Sequence, residues 1–186
     1  GYGIKNQPFR SYPDILDSML ADNYNVRNFG NIRVTVQPDG DQPFIETYTY
    51  SDSVEFDADI LIFMLGTNDA KTVNWKGEEK FTNDYLSLLG TYLESEKAPE
   101  IYLCTPATAY FSGKGEHKSS IYDIQPDTVE IIADCVRNIA SEQGYRLIDI
   151  NAVTKNQREL FSYDGVHPEK SGAEVIANEV HKALVQ

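Results

Sequence analysis

Apolar positions along this chain recur at two spacings, and blocks of the two kinds alternate. From Tyr12 to Ala21, Ile15, Leu16, Met19 and Leu20 form a stripe along one helical face, the repeat of a helix packed on a core. The same repeat returns in Phe81, Tyr85, Leu88 and Leu89 within 78–94, and in Val129, Ile132, Ala133, Val136 and Ile139 within 126–143, where Gly144 supplies a stop. A closing helix is predicted from Ser171 to Leu184. Between these lie short runs without helical spacing: Tyr24 to Phe29, Ala58 to Leu65, Glu100 to Cys104 and Arg146 to Ile150. They read as strands, the Ala58 run as one buried on both faces. Strand and helix in alternation predict an α/β protein on a parallel sheet. The stretch 37–57 is polar and rich in turn residues, so loop with at most a short helical turn is expected, Tyr48, Thr49 and Tyr50 being ambiguous. A second long connection runs over 105–123. No repeat, low-complexity tract or linker interrupts the pattern, and one domain over 1–186 is the simplest organisation.

The Ala58 strand ends abruptly in Gly66-Thr67-Asn68-Asp69. Ligands of open α/β sheets bind beyond the C-terminal ends of the strands. There the Asn68 amide can donate to a developing oxyanion, or Asn68 and Asp69 can simply cap the next segment. About a hundred residues later, Tyr163-Asp164-Gly165-Val166-His167-Pro168 puts a carboxylate and an imidazole three residues apart. A carboxylate that orients a histidine makes it a general base for a hydroxyl nucleophile. Alone, the stretch is equally a turn with Pro168 opening the following helix. The two motifs together are far more specific than either.

In these motifs the chain resembles the SGNH (GDSL-type) esterases and lipases, whose four blocks supply Ser, Gly, Asn and His. Gly66-Thr67-Asn68-Asp69 is similar to the third block and Asp164-Gly165-Val166-His167-Pro168 to the fourth. The run from Ser11-Tyr12-Pro13 to Asn28-Phe29-Gly30 resembles the stretch between the first two blocks, and Asn74-Trp75 after the third looks like the bacterial carbohydrate-type acyl esterases. The resemblance implies a three-layer α/β/α sandwich around a parallel, flavodoxin-like sheet, and hydrolysis of short acyl esters, such as acetyl, on a carbohydrate. It implies catalytic roles for His167, Asp164 and Asn68, and an oxyanion site and pocket at Gly66, Gly30 and Arg33. Asp69, Trp75 and Tyr110 are candidate substrate contacts; Trp75 suits either sugar stacking or packing, and Pro106, Tyr110 and Phe111 either line a pocket or pack their loop.

Two features depart from the family pattern. No Gly-Asp-Ser occurs in the 186 residues, so the nucleophile serine and the family's first strand are expected upstream of Gly1-Tyr2-Gly3. Arg33 stands where the second block usually has its oxyanion glycine. Losing a nucleophile costs on the order of a millionfold in turnover and losing one oxyanion donor roughly a hundred- to a thousandfold. The serine therefore decides activity. Ser11 is no substitute, since Ser11-Tyr12-Pro13-Asp14 reads as a helix cap with an early proline.

Composition narrows the substrate. Lys+Arg 16 against Asp+Glu 29 gives a net charge of −13, which disfavours nucleic acid and anionic membranes as partners. Small-molecule or carbohydrate esters without charge fit better. No apolar run is long enough to span a bilayer. The mechanism implied needs no metal or organic cofactor. Cys104 and Cys135 read as buried hydrophobes, while His117 and His181 read as solvated, leaving His167 as the histidine with a chemical context. Three readings stay open: an active esterase, a catalytically silent relative that binds a carbohydrate or protein partner, and an interaction domain with a vestigial pocket.

Overall fold

The computed structural model describes residues 11–94, 97–111 and 122–185. Three parallel strands, β1 (Ile60–Phe63), β2 (Glu100–Cys104) and β3 (Arg146–Ile148), lie in the order β1-β2-β3. Ile60 pairs with Glu100 and Phe63 with Leu103, and on the other side Tyr102 pairs with Arg146 and Cys104 with Ile148.

Strand side chains alternate between faces, and both faces here are apolar. Leu61, Phe63, Ile101 and Leu103 pack with the helices α3 (Glu78–Leu93) and α4 (Pro126–Gln143). Ile60, Ile62, Tyr102, Cys104 and Ile148 pack with α1 (Tyr12–Leu20) and α6 (Lys170–Val185). The result is an α/β sandwich, as the alternating pattern implies. Asp14 accepts bonds from the Ser11 backbone and from the Ser11 hydroxyl at 2.6 Å, so Ser11 caps α1. Gly144 ends α4 in the left-handed conformation, φ 72°.

Three expectations need correction. Residues 24–29 form no strand; among the described residues they have no ladder partner. The ambiguous Tyr48-Thr49-Tyr50 opens a helix, α2 (Tyr48–Glu55), whose first turn is capped by the Thr47 hydroxyl accepting from the Tyr50 N–H. Tertiary packing decides this element: Tyr50 lies edge-on to Phe44 and Tyr92, and Ser53 bonds the Tyr92 hydroxyl at 2.7 Å. The strand at 146 ends at Ile148, and a short helix α5 (Ile150–Thr154) follows, capped by Asp149. Five residues are too few to show a periodic stripe. No described helix is long and apolar enough to cross a membrane.

Candidate active site

The turn before α6 is built from its own residues. Asp164, fully buried, accepts the backbone N–H groups of Val166 (2.8 Å) and His167 (2.9 Å) on one oxygen and meets Nδ1 of His167 at 2.9 Å with the other. Burial works against its charge, but the N–H donors of His167 and Val166 outweigh it and hold the carboxyl below its ordinary range. A carboxylate acceptor at Nδ1 fixes the tautomer that leaves Nε2 free to take a proton. Gly165 makes the turn possible: its φ is 76°, and a Cβ there would stand 2.2 Å from the Tyr110 carbonyl. The ring of Tyr122 lies edge-on to His167 with centroids 5.4 Å apart.

Asn68 is positioned from farther away. Gly66, at φ 118°, turns the chain out of β1 where a Cβ would meet Ile132 at 2.7 Å. Asn68 then opens a single turn, Asn68–Ala70, and its Nδ2 donates to the Val34 carbonyl at 3.1 Å. The second proton of that amide has no partner among the described residues. The Asn68 carbonyl accepts from Nδ2 of Asn74 at 2.8 Å, and the same Asn74 amide reaches Asp41. Arg33, one residue before Val34, is in the left-handed conformation at φ 63°, the backbone state that glycine takes most cheaply. Its N–H has no partner among the described residues.

Both loops border one groove of about 820 Å³ along the edge of β1 that pairs with no other strand among the described residues. Thr67, Val166 and Pro168 are among its lining, with residues 60–65 and 23–30. Asn68 follows Thr67 of this lining, and His167 stands between Val166 and Pro168 of it.

The candidate substrate contacts fare differently. Asp69 is fully buried, and its carboxylate accepts the N–H groups of Val36 and Gln37, both at 3.0 Å. It cannot reach a substrate; it clamps the loop carrying Arg33 and Val34. Burial raises its pKa to about 6 against the pull of the Gln37 and Val36 N–H groups. Tyr110 is also occupied, its hydroxyl donating to the Thr154 carbonyl (2.6 Å) and accepting from the Gln157 N–H (2.8 Å) while its ring packs on Phe161. Trp75 is half-buried against Phe81, centroids 6.1 Å apart. Gly66 faces the core and acts through the backbone turn. His117 and Gly1-Tyr2-Gly3 lie outside the described residues. The sequence reading missed Tyr122 and gave Asn74 only as part of a family-like segment, since the contacts that matter for them are made across the fold.

An α/β sandwich with a histidine and carboxylate turn and an asparagine loop at one end of its sheet has the SGNH-type architecture. The profile of the GDSL-like Lipase/Acylhydrolase family matches residues 1–175, and the chain belongs to that family. It is 29% identical to an acetylxylan esterase of Xylanibacter ruminicola over 99% of its own length and 40% of that protein's, so it spans well under half of this relative. Among solved structures it is similar to a carbohydrate acetylesterase from Sinorhizobium meliloti (15% identity, TM-score 0.75, covering 94% of this chain and 84% of that one). It is also similar to an aryl esterase of M. smegmatis (18% identity, TM-score 0.71, 93% and 85%). At these identities the structural likeness speaks to the fold.

Proposed function

We propose that this chain hydrolyses short acyl esters, acetyl above all, on a carbohydrate, through a serine that the family resemblance puts upstream of Gly1. The observation that carries the reading is the His167 ring, held by buried Asp164 between two residues that line the β1 groove. A strand lying in that groove would bring its C-terminal hydroxyl to His167. Nε2 of His167 takes the serine proton as the hydroxyl attacks the ester carbonyl, and Asp164 stabilises the imidazolium. The free proton of the Asn68 amide and the Arg33 N–H receive the negative charge on the carbonyl oxygen. As the bond to the sugar oxygen breaks and the acyl-serine forms, the histidine gives its proton to that oxygen, which leaves as a hydroxyl. Water, deprotonated by the same nitrogen, then releases the acid and restores the serine.

The left-handed backbone at Arg33 supports an active site over a silent one, because the N–H is presented as a glycine would present it. The acetylxylan esterase relative supports a carbohydrate ester as substrate. The full-length protein is expected to hydrolyse p-nitrophenyl acetate, with kcat falling on the order of a millionfold in His167→Ala. Unchanged turnover in that variant would remove His167 as the base.

A further inference from the structure

The proposed oxyanion donor sits on an element too short to hold itself. Asn68 opens a single turn of three residues, Asn68–Ala70, and the turn's own bond to its carbonyl comes from the Lys71 N–H at 3.2 Å. Its side chain adds the bond to the Val34 carbonyl at 3.1 Å. The shortest tie on Asn68 comes from outside the turn, the 2.8 Å bond that Nδ2 of Asn74 donates to its carbonyl.

Asn74 is locked in the orientation that makes this bond. It is 1% exposed, and its amide is used at three points. Besides the Asn68 carbonyl, Nδ2 reaches Oδ1 of Asp41 at 2.8 Å, while the Asn74 Oδ1 accepts the Asp41 N–H at 2.9 Å. Turning the amide over would set its oxygen against two acceptors and its NH2 against a donor, so one orientation satisfies the set. Asp41 is pinned in turn, because Nζ of Lys71, a buried residue, donates to its other oxygen at 2.8 Å. Burial works against the charge on Asp41, but the bonds from Lys71 and Asn74 outweigh it and hold the carboxyl below its ordinary range. The segment carrying Asp41 is also bonded to the one carrying Val34: the Thr35 N–H donates to the Gln42 carbonyl at 2.8 Å and the Phe44 N–H to the Thr35 carbonyl at 2.9 Å. One loop, 34–44, thus holds Asn68 twice, its side chain directly at Val34 and its backbone through Asn74 at Asp41.

We infer that Asn74, braced by Asp41 and Lys71, is a positioning residue for the proposed reaction, fixing the backbone of Asn68 so that the second proton of its amide stays aimed at the forming oxyanion. This rests on the esterase reading. Asn74 itself is buried and acts only through Asn68. A misplacement of about 1 Å can cost roughly 10²-fold in rate, and a donor to charge that develops only in the transition state acts on kcat rather than on KM.

The test is a double-mutant cycle on the full-length protein with p-nitrophenyl acetate: parent, Asn74→Ala, Asn68→Ala and the pair. Asn74→Ala is expected to lower kcat roughly ten- to a hundredfold with KM within about twofold. Once Asn68 is already alanine, the same substitution should lower kcat less than about threefold, because no amide is left to misplace. A merely structural tie would cost the same factor in both backgrounds. Denaturant midpoints of the four proteins confirm that each is folded under the assay conditions. Should the alanine chain not fold, Asn74→Ser, which keeps one donor, carries the same cycle. Equal losses of kcat in the two backgrounds, a loss expressed in KM alone, or an unchanged kcat would each overturn the positioning role and leave the esterase standing. A parent that releases no p-nitrophenol would remove the esterase reading, and the role with it.

Discussion

The two loops that offer catalytic groups are held in opposite ways. Around His167 the bonds of Asp164 to the Val166 and His167 N–H groups and to the His167 ring reach only two or three residues along the chain. Around Asn68 the bonds cross the fold: Nδ2 to Val34 spans 34 positions, and the neighbouring Asp69 reaches Val36 and Gln37 across 33 and 32. One loop is a local device that a short peptide encodes. The other exists only when distant segments have already come together, so its geometry depends on the stability of the whole.

The sharpest way to break the local device is Asp164→Asn. The amide keeps one acceptor for the backbone N–H groups but turns a donor toward Nδ1, forcing the wrong histidine tautomer. We expect kcat on p-nitrophenyl acetate to fall by roughly 10³–10⁴ with the fold retained by circular dichroism. A loss under tenfold would mean that Asp164 only shapes the turn. Next in size is Asn68→Ala, which removes one proposed oxyanion donor and should cost roughly 10²–10³ in kcat with a smaller change in KM. If kcat stays within a few-fold, the amide serves to hold the Val34 carbonyl and nothing more.

The same contrast explains how much could be read from the chain. The turn was legible because Asp-Gly-Val-His-Pro contains its own partners, and the helices 126–143 and 78–94 because each carries a full periodic stripe. Glu100–Cys104 was legible as a short apolar run bounded by polar residues. Asp69 was misread as a substrate contact because its partners, the backbone N–H groups of Val36 and Gln37, carry no side-chain signature. For Tyr110 the two readings stayed open in the chain, because its hydroxyl serves carbonyl and amide groups of the Thr154 to Gln157 segment that carry no side-chain signature. The α2 helix was hidden by β-branched and aromatic residues, which are poor helix formers until Tyr50 and Ser53 find Phe44 and Tyr92.

Breaking the long-range clamp should act on stability first. Asp69→Asn presents one acceptor and one donor to two backbone N–H groups, leaving at least one buried donor unmet. A loss of about 1–3 kcal/mol in unfolding free energy is expected, read from the denaturant midpoint. Esterase kcat should fall with it, because the released loop carries both Val34 and the Arg33 N–H. A variant as stable as the parent would show that the clamp is dispensable.

The smallest effect separates the two carboxylates by the sign of their pH dependence. Asp164 titrates below its ordinary value of 3.8 in the folded protein, so its stabilising contribution is present above that pH and is lost as pH falls through the depressed value. Asp69 is raised from 3.8 to about 6, so its contribution is full below 3.8 and is lost as pH rises through about 6. Between pH 4.5 and 7 the stability cost of Asp164→Asn should therefore stay level. Over that same interval the cost of Asp69→Asn should shrink, because the parent gives up stability as Asp69 ionises and the amide does not titrate. Denaturant midpoints of the parent and both variants at a series of pH values test this. A cost for Asp69→Asn that stays as level as that of Asp164→Asn would mean that the Val36 and Gln37 donors outweigh burial and the clamp is ionised throughout. The two loops would then differ in the reach of their bonds but not in the charge state that makes them.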